Sequence, residues 1–361
     1  MALFLLSRRM LAPTIRTSLR SPVFLLAIKN HNKFISTRQT RFKLNTGASI
    51  PALGFGTFQD PEAQEDAVSR ALIAGLRMID TARVYHIEKE VGKGIKASGV
   101  AREEIFLGTK LWCNSYHPED VEKALDKSLE DLDTPYLDLF MMHYPVTFKR
   151  GTDEFPRDGS GKMLLGETTF LDTWRVMEDL VAKGKVKALG VSNFCQSEIE
   201  MLMKQSSTTP AVHQMECHPY LQQKGFNDWL RVQGIHVVQF SPLGNMNEFY
   251  RATGWSKEIS HMKRVIDQPL LKEIGNKYGK SAVQVVLAWG INSGRSVIPK
   301  STIDWQIKEN IEADFKLEPA DMEAIGTLDV KARFNDPSLD YQYQLYRGLE
   351  GTEGAKDGKT H

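Results

Sequence analysis

Short apolar strands alternate with amphipathic helices eight times over roughly three hundred residues, which predicts an α/β protein, a closed (β/α)8 TIM barrel. Parallel strands need a crossover connection, and the intervening helices supply it. Polar residues gather at the strand ends, the face where such a barrel presents reactive groups. An open doubly wound sheet is the competing architecture, but no GxGxxG turn opens an early helix. A hairpin precedes the barrel, and an irregular aromatic loop follows it.

Residues 42–47 and 50–56 read as two short strands around an Asn45-Thr46-Gly47 turn, since Gly47 tolerates the positive φ a hairpin needs. The spacing of Val68, Ala71, Leu72 and Gly75 predicts a helix over 62–75, followed by a strand over 76–79. Asp80 ends that strand, and Tyr85 falls in the turn before a helix over 88–97. A strand over 105–109 leads to Lys110. His117-Pro118-Glu119-Asp120 then opens a helix with proline and acids where the first turn favours them. A strand over 136–142 ends at His143.

After a Gly- and Asp-rich loop over 151–166, Phe170, Trp174, Met177 and Val181 mark a helix that stops at Gly184. The strand over 186–191 ends in Ser192-Asn193. A helix over 197–204 precedes a strand over 211–215, which carries Gln214 and Glu216 near its end. A helix over 226–232 precedes a strand over 235–240 that ends in Ser241. Residues 269–289 are mostly helical, and the strand over 296–298 runs into Lys300-Ser301. The last predicted helix covers 305–311. Beyond it Phe334, Tyr341, Tyr343 and Tyr346 lie in the aromatic loop.

The composition, 41% hydrophobic and 25% charged, is that of a soluble globular chain, and a net charge of +1 gives no reason to invoke nucleic acid or an anionic surface. The expected partner is a small molecule, and the expected state is a monomer. Cys113, Cys195 and Cys217 form no CxxC pair, so neither a disulfide framework nor a zinc site is expected. Cys113 reads as a pocket-wall thiol, the other two as buried. His213 and His218 flank Gln214 without a third ligand, which favours packing over metal binding. No Asp or Glu occurs before Asp60, whereas Arg8, Arg9, Arg16 and Arg20 lie near the start. That pattern reads as a leader over residues 1–40, directing the chain to mitochondria rather than leaving it in the cytoplasm. Its apolar pieces are too short for a membrane span. Residues 41–346 then form the barrel and 347–361 a polar tail.

The strand-end residues suit proton-coupled carbonyl reduction. A phenol with an ordinary pKa near ~10 is a poor proton donor at neutral pH, and a neighbouring ammonium favours its phenolate. Lys110 can act in this way on Tyr85, with Asp80 as the counter-charge that an ammonium in an apolar mouth requires. A neutral His143 can donate a hydrogen bond to a substrate oxygen and orient the carbonyl. Phe58, Trp112 and Tyr144, just beyond strands, read as an apolar substrate-pocket lining.

The stretches LGFGTF, MIDTARVY with EVGKGI, FLGTKLW, YLDLFMMHYP, GVSNF, HQMECHPYL, FSPLG and VIPKS with EN, in this order, resemble the aldo-keto reductase family from residue 42 to about 346. The resemblance implies a catalytic tetrad of Asp80, Tyr85, Lys110 and His143. It also implies that Ser192, Asn193 and Gln214 hold a nicotinamide carboxamide while Phe240 stacks on the ring, with Ser241 and Leu243 of FSPLG beside it. Lys300 and Ser301 match the adenosine phosphate site, and Glu309 and Asn310 the adenine end. The implied cofactor is NADPH, the implied activity reversible reduction of aldehydes and ketones, and the C-terminal loop would help choose the substrate. Within the family, the SPLGNMN stretch and the loop over 334–346 most resemble fungal alcohol and glycerol dehydrogenase-type members.

Three departures from the family pattern matter. Phe240 replaces a more usual Tyr. Gln306 stands where an arginine would pair with the 2′-phosphate, which makes NADH use credible beside NADPH. Gln59 and Asn247 replace charged residues that latch a loop over the pyrophosphate, so faster cofactor exchange is expected. A cofactor-binding regulatory subunit is the alternative reading, opposed by the complete tetrad. A phosphate-handling barrel isomerase would want a glycine-rich loop where VIPKS stands.

Overall fold

Strand β4 (Met78–Asp80) is buried along its whole length, and so are β5 (Phe106–Leu111), β6 (Leu139–Met142), β7 (Leu189–Ser192) and β8 (Val212–Glu216). Strands covered on both faces read as near-continuous apolar runs, which is the pattern these segments carry. With β3 (Phe55–Gly56), β9 (His236–Phe240) and β10 (Ser296–Val297) they form one eight-stranded sheet, each strand parallel to its sequence neighbour. The sheet closes on itself. Leu53 pairs with Val297 in parallel, Gly54 N donates to Val297 O at 2.9 Å, and Val297 N donates to Ala52 O at 2.8 Å. The seam needs glycine: a Cβ on Gly56 would lie 2.9 Å from the Ile298 carbonyl oxygen. The computed structural model describes residues 40–247, 255, 259 and 261–351, all within the compact unit Gln39–His361. Residues 1–39 of the predicted leader and residues 352–361 of the predicted tail lie outside the described residues.

The hairpin is shorter than its sequence suggests. β1 (Arg41–Lys43) pairs antiparallel with β2 (Ser49–Pro51), and the remainder of the 50–56 run belongs to the barrel. Helices α1 (Pro61–Ile73), α2 (Glu88–Ser98), α3 (Pro118–Asp131), α4 (Phe170–Ala182), α5 (Gln196–Gln205) and α6 (Lys224–Val232) follow the strands as expected. Proline opens α1 and α3, and Thr169 with Asp172 forms a capping box on α4, so the entry points were written in local chemistry.

The predicted long helix is two helices, α7 (Pro269–Tyr278) and α8 (Ala282–Asn292), because Gly279 at φ +64° ends the first. The helix α9 (Asp304–Ile311) is not the last one. α10 (Pro319–Gly326) and the one-turn α11 (Ser338–Tyr341) follow it. The second of these interrupts the aromatic loop, where Asp336 accepts from Ser338 N at 3.1 Å and starts the turn. Lys110 lies inside β5 rather than beyond its end. No helix among the described residues is long and apolar enough to cross a membrane.

His213, in β8, is fully buried, and its Nε2 contacts Phe194 O at 3.0 Å. Burial pushes its imidazole down to about 3. An unfolded histidine titrates near ~6.5, so the unfolded chain takes up this proton first as pH falls. The stability His213 contributes is whole above about pH 6.5 and is lost progressively toward the folded value of about 3. The thermal midpoint of His213→Gln should therefore drop less between pH 7.5 and pH 5 than that of the wild type. Equal drops in calorimetry would dismiss the assignment.

Candidate active site

Asp80 closes β4, and its carboxylate meets the Lys110 ammonium rising from β5. Lys110 Nζ donates to Asp80 Oδ1 at 2.6 Å and to Thr81 O at 2.9 Å. Gln214 Nε2, from β8, donates to the other carboxylate oxygen at 2.8 Å, and Thr57 Oγ1 donates to the Asp80 carbonyl at 3.0 Å. Burial pushes the ammonium below its ordinary pKa, while the carboxylate beside it pushes back.

Tyr85 is carried by a 3-10 turn, Arg83–Tyr85, which His86 closes at φ 57°. The turn is anchored from below. Arg83 Nη1 donates to Glu88 Oε2 at 2.8 Å and to Asp131 Oδ2 at 2.6 Å, while Glu88 also accepts from Thr109 at 2.7 Å and Ser128 at 3.0 Å. Arg83 and Glu88 were not singled out in the sequence. The signal was there in Glu88, a carboxylate on the helical face of Val91 and Ile95. The anchored turn places the Tyr85 ring 5.4 Å from Lys110 Nζ and 5.8 Å from the His143 ring, centroid to centroid.

His143 follows β6 and lies edge-on to Trp112 at 5.2 Å and stacked on Tyr144 at 5.2 Å. Burial pushes its imidazole well below the ordinary histidine range, and the Lys110 charge adds to this, so the ring is neutral at physiological pH. Its Nδ1 is buried with no hydrogen-bond partner among the described residues.

These side chains open on a cavity of about 920 Å³, toward the upper end of the roughly 300–1,000 Å³ typical of ligand sites. Phe58, Trp112 and Tyr144 line it, joined by Asn335 and Tyr341 of the expected substrate loop and by Val84 and Phe155, for which the sequence carries no pocket signal. Phe155 arrives because Trp112 Nε1 donates to Glu154 O at 2.8 Å, which ties down the irregular loop. Phe240, Ser241, Leu243, Lys300, Ser301, Gln306, Glu309 and Asn310 line the same cavity. Lys300 is ion-paired with Asp60, Ser301 Oγ donates to Gln306 Oε1 at 2.6 Å, and Asn310 Oδ1 is buried with no partner among the described residues. Gln59 and Asn247 do meet, through a neutral hydrogen bond of 2.8 Å.

Of the three residues at the ends of β7 and β8, Asn193 is the most committed. Its Nδ2 donates to His143 O at 3.0 Å and to Ser192 Oγ at 3.1 Å, and its Oδ1 accepts from the Tyr346 phenol at 2.9 Å. Ser192 keeps a hydroxyl hydrogen to give, and Gln214 keeps a carbonyl oxygen to accept with. Cys113 is not part of the pocket wall; it is fully buried in the core, and burial pushes its thiol up. Cys195 and Cys217 are buried free thiols. No metal-binding group of His, Cys, Asp or Glu occurs among the described residues.

The C-terminal segment reaches this cavity because Glu216, fully buried after Gln214 and Met215, holds it. The Glu216 carboxylate accepts from Phe334 N at 2.8 Å, Asn335 N at 2.9 Å and His218 Nε2 at 2.9 Å. Burial raises its pKa, but the donors outweigh burial and keep it below the usual carboxylate range.

Fold and cavity together define a (β/α)8 barrel protein with a large ligand site at the C-terminal mouth of its strands. A model of the aldo/keto reductase family matches residues 47–329. An uncharacterized oxidoreductase of Schizosaccharomyces pombe is 39% identical over 330 residues, covering 91% of this chain and 98% of that protein. Aldo-keto reductase family 1 member A1 of Xenopus tropicalis is 40% identical over 303 residues, 82% of this chain and 90% of its own. The solved structure of the aldose reductase from Schistosoma japonicum superposes with a TM-score of 0.78 at 32% identity, covering 85% of this chain and 98% of that one. The chain belongs to the aldo/keto reductase family of oxidoreductases.

Glu216→Gln keeps the volume but turns an amide NH2 toward backbone N–H donors. It should lower unfolding free energy by roughly 1.5–3 kcal/mol and speed amide exchange at Phe334 and Asn335 more than in the strands. Unchanged exchange at those two amides would show that something else holds the segment.

Proposed function

We propose that the protein is an NADPH-dependent carbonyl reductase that converts aldehydes or ketones to alcohols, and that runs in reverse as an alcohol dehydrogenase. The observation that supports this reading is the convergence of Tyr85, neutral His143 and the Asp80–Lys110 pair at a cavity that Phe240, Ser301 and Lys300 also line.

The cavity residues fit a dinucleotide. Phe240 presents an aromatic face, Lys300 and Ser301 offer a cation and a hydroxyl to a phosphate, and Asn310 Oδ1 awaits a donor. Ser192 and Gln214 retain the donor and the acceptor that a carboxamide requires. When bound, NADPH would supply a hydride from its reduced nicotinamide ring. Tyr85 would give the proton to the carbonyl oxygen, and the Lys110 ammonium would stabilise the phenolate left behind. A neutral His143 would orient that oxygen without competing for its proton. Asp80, held by Gln214 and Thr57, keeps Lys110 in place.

Gln306 removes a planar cation from the 2′-phosphate end, and Asp60 already occupies Lys300, so we infer that NADH competes more effectively here than where an arginine is present. The neutral Gln59–Asn247 contact supports rapid exchange of the cofactor. The basic leader supports mitochondrial import, which N-terminal sequencing of the mature protein would test, and a monomeric state is proposed with light scattering as its test.

Tyr85→Phe should lower kcat for an aldehyde panel by roughly 10²–10⁴-fold while NADPH still quenches tryptophan fluorescence. Unchanged turnover would end this mechanism. Gln306→Arg should shift the NADPH-to-NADH ratio of kcat/KM toward NADPH by about tenfold, the scale of one charge-assisted bidentate contact. No shift in that ratio would remove Gln306 from cofactor selection.

A further inference from the structure

Tyr341, in α11, is 3% exposed, lines the cavity and stands edge-on to three rings: Phe148 at 5.1 Å, Tyr144 at 5.2 Å and Trp112 at 6.3 Å. Its hydroxyl forms no hydrogen bond among the described residues, whereas three other buried phenols do. Tyr116 donates to Tyr144 O at 2.7 Å, Tyr220 to Lys263 O at 2.9 Å and Tyr346 to Asn193 Oδ1 at 2.9 Å. The Tyr341 oxygen is not enclosed by protein but keeps surface open to the cavity, where a ligand can accept its hydrogen. Burial also holds this phenol protonated, so it is a donor at any physiological pH.

The rings fix what such a ligand looks like. Trp112 touches both ends, lying 5.2 Å from His143 and 6.3 Å from Tyr341. A carbonyl placed between Tyr85 and His143 would lay an attached aryl ring along Trp112 and Tyr144 and aim its far substituent at Tyr341. Charge is selected against. Among the described residues lining the cavity, Lys300 is the sole cation, and it is ion-paired with Asp60. A carboxylate at the Tyr341 end would be desolvated without a counter-ion.

We propose that Tyr341 is a specificity-determining residue that donates its phenol hydrogen to an uncharged ether or hydroxyl oxygen carried beyond the ring of an aryl carbonyl substrate. This rests on the carbonyl-reductase reading of the site.

The test compares wild type and Tyr341→Phe on isosteric pairs, methoxybenzaldehyde against ethylbenzaldehyde, substituted at the 3- and at the 4-position. Electronic effects of the substituent cancel in the ratio between the two enzymes. The variant should lose roughly threefold to tenfold more kcat/KM on the methoxy member of at least one pair. Its thermal midpoint should stay level or rise, because a hydroxyl without a partner in the protein is being removed. Wild type should reduce 4-carboxybenzaldehyde at least about tenfold less well than 4-methoxybenzaldehyde. Equal losses on both members of both pairs would overturn the proposal, as would a clearly lowered midpoint, which would reveal an internal partner. Equal reduction of the carboxylate would overturn its restriction to uncharged substrates. If wild type reduces none of these aldehydes, nor benzaldehyde, the reductase reading fails as well. Reduction of benzaldehyde with no pair difference removes only the role of Tyr341.

Discussion

The contact between Asp80 and Lys110 sets the terms for everything around it. Two opposite charges taken out of water are each expensive, and their mutual attraction balances this only if their remaining hydrogen-bonding capacity is satisfied. Here it is drawn from several elements. Lys110 comes from β5, Asp80 and Thr81 from the end of β4, Gln214 from β8 and Thr57 from just after β3. Strands far apart in the ring order are thus held to one point. Losing the Gln214 donor or the Thr81 acceptor would leave part of a buried charge unpaired, and Thr57 fixes the Asp80 backbone, so the mouth keeps a fixed shape at the place where the Tyr85 ring faces the ammonium.

A second buried carboxylate does for the C-terminal segment what Asp80 does for the strands. Glu216 lies two residues beyond Gln214, so one strand end both braces the ion pair and clamps Phe334 and Asn335. Farther along, Tyr346 bonds Asn193, and Tyr343 donates to Glu198 at 2.7 Å near the start of α5. A strand end, a strand-following turn and the first turn of a helix therefore hold a segment that has little regular structure of its own. Backbone without a ladder has to find its partners among side chains, and at Phe334 and Asn335 that partner is the Glu216 carboxylate.

The barrel was legible because its signals are local and repeated. Strand runs, proline-opened helices and polar strand ends recur at every unit, and an error of two residues at a boundary does not change the topology. The convergence of Asp80, Tyr85, His143 and the residues after β7 to β10 on one cavity followed from that topology alone. What stayed hidden depended on pairings distant in sequence. Nothing near Glu216 announces that it will meet Phe334, and nothing near Asp60 that it will meet Lys300. The short turn at Ser338–Tyr341 was hidden for a different reason: Asp336-Pro337-Ser338 is equally good loop chemistry, and only the packing of Tyr341 against Trp112, Tyr144 and Phe148 turns it into an element of the site.

This separation between strand ends and segment has a chemical consequence. Groups that would handle protons sit on barrel strands or on the braced turn at Arg83, where displacement would break buried ion pairs. Groups that would meet the distal part of a substrate, Asn335 and Tyr341, sit on the segment clamped by Glu216. Polar contacts through Asn193 and Glu216, and the packing of Tyr341 on Trp112, Tyr144 and Phe148, join the two parts, and the polar atoms of Asn193 and Glu216 are mostly committed within the protein. A sequence change in the segment can therefore alter the shape and polarity of the outer pocket while the Asp80–Lys110 contact is untouched. A change at the pair disturbs both, because Gln214 and Glu216 ride on the same strand.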